Sequence, residues 1–243
     1  MRNQIIDDNN SNPAYTQATL SKTFMSNVFS YMFGALAISG LAAYIFGTSD
    51  LIELLYNTTT GSTTILGWIV MFSPIGLILF MGARMQKLSF PSMLSMFVLY
   101  SIITGVSLSF VFLAYTSSSL VVTFLVTSGT FGVMAIVGYT TSTDLTKFGS
   151  ILRMALIGLI ISMFANYFFV DNAGAFDYII SGLGVLIFTG LTAYDTQKLK
   201  REALKYDTNS AEGKKRAIWG ALSLYLDFLN LFLFLLRFMG GRD

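Results

Sequence analysis

Residues 222–240 read LSLYLDFLNLFLFLLRFMG. The run is long enough to cross a bilayer, which takes about 20 predominantly apolar residues, yet Asp227 stands inside it. A carboxylate at the centre of a spanning helix costs roughly 2.5–3.5 kcal/mol on insertion scales, and more where it faces lipid alone. Steps of about 100° per residue place Gly220, Ser223, Asp227 and Asn230 on one narrow stripe, and the other faces are leucine and phenylalanine. The segment reads as a transmembrane helix that turns a polar stripe toward other helices and apolar surface elsewhere.

The rest of the chain fits that environment. Of its 243 residues, 54% are hydrophobic and only 12% charged, with a mean hydropathy of +0.66. Soluble domains carry about 25% charged residues, so this chain lacks the polar surface to cover a water-exposed core of its size. It reads as an all-α integral membrane protein with the lipid bilayer as its first partner. The net charge of +2 is too small to suggest a nucleic-acid partner. There is no cysteine, which excludes disulfides, thiolate metal sites and thiol redox chemistry. There is no histidine either, so any response to pH near neutrality falls to carboxylates. Residues 1–23 are polar, lack the apolar core of a signal peptide, and read as a mostly disordered cytoplasmic tail ahead of a seven-helix domain over 24–243.

A window of about 19 residues gives spans at 24–47, 65–83, 93–115, 119–140, 151–170, 176–197 and 216–239. The connections at 116–118 and 171–175 are too short for a separate domain. Thirteen of the fifteen Lys and Arg fall on alternate sides: Arg2 and Lys22, then Arg84 and Lys87, then Lys147 and Arg153, then seven between Lys198 and Arg216. The positive-inside rule puts that side, and with it the N-terminus, in the cytoplasm. Small residues recur at four-residue spacing, as in Ser30 and Gly34, Ser101, Gly105 and Ser109, Ser128 and Gly132, and Gly158 and Ser162. Such spacing is expected to mark close helix packing.

A second intramembrane carboxylate closes the sixth span, in GLTAYDTQKLK, residues 190–200. Asp195 lies about one turn from Lys198 and Lys200, hence roughly 5–8 Å below the interface. Asp227 is eleven residues past Arg216, at a depth that could meet it. Two carboxylates in contact do not both ionise cheaply and would share a proton. That supplies a proton sensor without histidine.

GLTAYDTQKLK, the basic loop after it and LYLDFLNLF together resemble the Bax inhibitor-1 (transmembrane Bax inhibitor motif) family. YTTSTDLTKFGSIL at 139–152 and RMQKLS at 84–89 are similar to loop motifs of its bacterial branch. The resemblance covers the chain from about residue 20 onward. It implies a seven-helix bundle with the last helix at the centre, surrounded by the other six, in a bacterial cytoplasmic (inner) membrane. It also implies a pH-sensitive calcium leak gated by an aspartate pair, here Asp195 and Asp227, with Arg84 as the closed-state latch. Calcium is then the transported species, held transiently by the two carboxylates. No calcium loop of repeated carboxylates is present, so no tightly bound cofactor is expected.

Other classes fare worse. An intramembrane aspartyl protease also places aspartates on its sixth and seventh helices, and Tyr194-Asp195 matches half of that pattern. The Gly-x-Gly-Asp half fails, because Leu224, Tyr225 and Leu226 precede Asp227. A retinal receptor needs a lysine in the last helix, and 217–239 has none. The chain is therefore read as a non-enzyme. The alternative from another class is a non-transporting regulator that binds a membrane protease or stress-response complex through the tail or the 198–216 loop.

Overall fold

The computed structural model describes residues 13–169 and 174–241. The chain runs α1 (Pro13–Gly47), a 3-10 turn (Asp50–Leu54), a two-stranded antiparallel ribbon of β1 (Tyr56–Asn57) and β2 (Ser62–Thr63), and α2 (Ile65–Arg84). It continues through α3 (Phe90–Leu108), α4 (Val111–Ala114), α5 (Ser117–Thr140), α6 (Thr146–Phe169), α7 (Gly174–Glu202) and α8 (Ala211–Met239). Counting α3 and α4 as one segment, seven helices among the described residues are long and apolar enough to cross a membrane. Thr64, Ser89, Thr116 and Ser210 cap α2, α3, α5 and α8, each accepting a backbone N–H of the first turn. Pro74 inside α2 withdraws one backbone donor, and Ser73 Oγ donates to Val70 O, the carbonyl that donor would have served.

Two boundaries differ from the sequence reading. Helix α1 already begins at Pro13, so residues 13–23 are helical; residues 1–12, the rest of the expected tail, lie outside the described residues. The charged ends of the last two helices also stay helical, to Glu202 in α7 and from Ala211 in α8. Hydropathy ends a span where the membrane ends, whereas the backbone ladder continues into water.

Helix α8 is the centre. In its most apolar stretch 67% of residues are buried, against 17% for α6 and 11% for α2. It packs mainly on α1, α3, α5 and α7, so the expected ring of six is a ring of four with α2 and α6 outside, leaning chiefly on α3 and α7. Helix α2 meets α8 near one end, where the Trp219 ring lies against Gly82. A buried polar knot fixes the rotation of α8. Ser39 Oγ donates to Ser101 O at 2.7 Å and stands 2.6 Å from the Tyr225 hydroxyl, which is then the donor to Ser39. The rings of Phe97 and Tyr100 meet Tyr225 edge-on. Tyr225 and Asp227 lie about 200° apart around the helix, so anchoring the tyrosine toward α1 and α3 turns the carboxylate the other way, toward α7.

Only part of the small-residue pattern packs. Ser101 and Ser109 are fully buried, and a Cβ on Gly105 would come 2.4 Å from Ser39 O, which lets α1 and α3 approach. Gly34, Gly132 and Gly158 have nothing within 4 Å. Four-residue spacing identifies a common face, but not whether that face meets a helix or lipid. The close contact of α5 with α7 uses Gly138, whose Cβ would fall 2.1 Å from Ala193 O.

Candidate functional site: a carboxyl pair and its cavity

Asp195 on α7 and Asp227 on α8 come together, close enough for each carboxyl to act on the other, and both line one cavity. Ser223 Oγ, one turn before Asp227, donates to Asp195 Oδ2 at 2.9 Å. Asp227 is 6% exposed, and its Oδ2 has no hydrogen-bond partner. A single proton held between two carboxyls would satisfy that oxygen. The polar stripe of α8 is divided. Ser223, Asp227 and Asn230 line a cavity, whereas Gly220 packs beneath Leu199. Asn230 spends its Nδ2 on Leu226 O at 2.8 Å, leaving its oxygen for the cavity side.

Arg84 is not brought to the pair. It ends the peripheral helix α2, is exposed, and lays its guanidinium 5.7 Å from the ring centroid of Phe80, one turn back. The cations that act on Asp195 are Lys198 and Arg153. Arg153 lies 5.1 Å from the Tyr194 ring centroid, donates to the Tyr194 hydroxyl at 3.1 Å, and lines the cavity.

A partly open cavity of about 1040 Å³ lies between α6, α7 and α8. At its other end Asp177 Oδ1 accepts from Asn166 Nδ2 at 2.8 Å and pairs with Arg237. Asn166 Oδ1 is buried without a donor. Asp177 and Asp195 are eighteen residues apart on one helix, about 27 Å at 1.5 Å per residue. The cavity therefore follows nearly the whole apolar thickness of a bilayer, about 30 Å. Asn166, Asp177 and Arg237 had a signal in the sequence that composition hides: isolated polar or charged residues of complementary sign in otherwise apolar runs.

The motif that ends the sixth span and the loop motif between the fourth and fifth spans also meet. Gln197 Oε1 accepts from Leu145 N at 2.9 Å while Nε2 donates to Thr143 O at 2.7 Å. Lys200 Nζ donates to Tyr139 O at 2.7 Å, and Arg201 pairs with Asp144 at 2.8 Å. YDTQKLK thus straps the 141–145 loop onto α7. The hydroxyl and amide of Thr146, followed by Arg201, hold the Asp144 carboxyl down to about 2. Among the described residues no group of three or more carboxylates is assembled as a metal cage. Two carboxyls and side-chain oxygens suit a passing divalent cation better than a stored one.

The family model described as inhibitor of apoptosis-promoting Bax1 matches residues 21–243. The inner membrane protein YbhL of Escherichia coli K12 is 41% identical over 223 residues, covering 91% of this chain and 92% of its own. An uncharacterized protein of Borreliella burgdorferi is 40% identical over 223 residues, with 92% and 94% covered. An uncharacterized membrane protein of Streptococcus pyogenes serotype M6 is 33% identical over 240 residues, with 96% and 100% covered. Carrying the carboxyl pair on its last two helices, the chain belongs to the Bax inhibitor-1 family.

Proposed function

We propose that this protein is a pH-sensitive calcium leak of a bacterial inner membrane, in which Asp195 and Asp227 act as gate and proton sensor. The cavity that runs from this pair to Asp177 and Arg237 carries the reading, because it gives a cation a route along most of the bilayer. With one proton shared, the pair presents a single negative charge and stays together. Loss of that proton leaves two like charges in contact, which either part or draw in a cation. Higher pH therefore favours cation entry. Arg153 and Lys198, in place of Arg84, supply the positive charge that balances Asp195 in the closed arrangement.

The proposed orientation has the N-terminus and the 141–145 and 203–210 loops in the cytoplasm; a reporter fused at residue 207 should read cytoplasmic, and an external reading would reverse it. The leak itself is tested with purified protein in calcium-loaded proteoliposomes. Efflux above protein-free vesicles is expected with no other protein present. Its absence at every pH from about 6 to 8 would favour the regulator that works only through a partner.

A further inference from the structure

The cavity beside the carboxyl pair has two unlike walls. Along α7 and α8 it presents Asp195, Ser223, Asp227 and Asn230. Along α6 it presents Leu156, Leu159, Ile160, Met163 and Phe164. Ile160 and Phe164 are 45% and 64% exposed, and α6 leans chiefly on α7 while facing α8 across the cavity. The space therefore opens sideways, between α6 and α8, to the lipid.

Two buried acceptors in this space lack a donor, Asp227 Oδ2 and Asn166 Oδ1. Both are oxygens, so their missing partner is a proton donor or a cation. A shared proton serves the carboxyls in one state; the ionised pair calls for a positive charge. The calcium of the proposed leak would use the carboxyls alone, whereas a ligand that also carries a hydrocarbon chain would use the apolar wall beside them. A hydrocarbon chain along that wall only exchanges lipid contacts for protein contacts, because lipid tails are as apolar as leucine. Selectivity then rests on the head group, and a charged N–H donor matches two carboxyls in a dry setting. From Asp227 to Phe234 the helix advances about 10 Å, the length of an octyl to decyl chain. Arg153 and Lys198 crowd the Asp195 end with positive charge, which discourages a cation arriving from that end and favours entry from the side.

We propose that the cavity between α6 and α8 is a binding site for a single-chain amphiphilic amine, its ammonium on Asp195 and Asp227 and its chain along Leu159, Ile160 and Met163. The site requires the cavity and its carboxyls but no calcium flux, so it stands or falls separately from the leak.

The test is equilibrium binding of radiolabelled n-decylamine to the full chain in lipid nanodiscs, with empty nanodiscs subtracted and n-decanol as the uncharged probe. One saturable site per chain is expected for decylamine and none for decanol. Affinity should fall at least tenfold in Asp195→Asn/Asp227→Asn, which removes the charge. It should fall as far in Ile160→Trp, which fills the chain's place from a half-exposed position and leaves the carboxyls intact. Size-exclusion profiles and circular dichroism establish that both variants are folded. No saturable binding beyond empty discs, equal binding of decanol, or undiminished binding in either folded variant would overturn the proposal.

Discussion

Arg153 stands where an exposed cation can act on the proposed gate, stacked on Tyr194 and lining the cavity that holds Asp195 and Asp227. In the proposed leak its charge would repel an entering cation. At an effective dielectric of about 20, two unit charges roughly 10 Å apart interact by about 1.7 kcal/mol before salt screening. Arg153→Gln keeps a donor for Tyr194 and removes the charge, so calcium efflux is expected to rise roughly three- to tenfold with little change in folded protein. Efflux equal to the parent would reduce Arg153 to a packing role on Tyr194. The carboxyl pair itself was legible, because two acidic residues in apolar helices entering from one side have few other places to go. Arg153 was not. Its contact with Tyr194 depends on α6 lying against α7, and a cation near a span end reads equally well as a topology anchor. Arg84 shows the converse: the family resemblance implied a latch, while its helix lies outside the layer that touches the pair.

Hydropathy marks helices well because the bilayer demands about the same apolar length of each, and the seven spans emerge with shifts of a few residues. Neighbour choice is harder to read, since lipid-facing and helix-facing surfaces are both apolar. Glycines resolve it only once the backbone is placed. Gly138→Val should force α5 away from α7 and cost about 1–3 kcal/mol, seen as a lower unfolding temperature in detergent. Gly132→Ala meets nothing within 4 Å and should be neutral or gain up to ~1 kcal/mol of helix propensity. Equal effects of the two would contradict the helix pairing. The strap over 141–145 offers a pH test of its own. Asp144 is held at about 2, below its ordinary 3.8, so its contribution is complete above 3.8 and is lost as pH falls through about 2. Hydrogen exchange at Leu145 and Thr146, corrected for intrinsic rate, should stay slow from about pH 4 to 8 and quicken toward the lower value. Opening of the strap between about pH 6 and 8 would make this loop, rather than the intramembrane pair, a candidate sensor.

At the scale of the molecule, a central helix carries one carboxylate, its neighbour α7 carries another, and α6 stands off to leave a cavity nearly as long as the membrane is thick. The central position of α8 followed from the family resemblance; the cavity did not, because a void is made by helices failing to touch and leaves no mark in a hydropathy pattern. Anchoring of Tyr225 to Ser39 holds α8 rotated so that Asp227 faces Asp195, which under the proposed function would link the bundle's packing to a response to protons. Calcium efflux from proteoliposomes, followed from about pH 6 to 8 for the parent, Asp195→Asn and Asp227→Asn, tests that link. The parent should leak faster as pH rises, and each folded Asn variant should show a flat profile. A parental pH profile in folded Asp227→Asn would contradict the assignment of the pair as the gate.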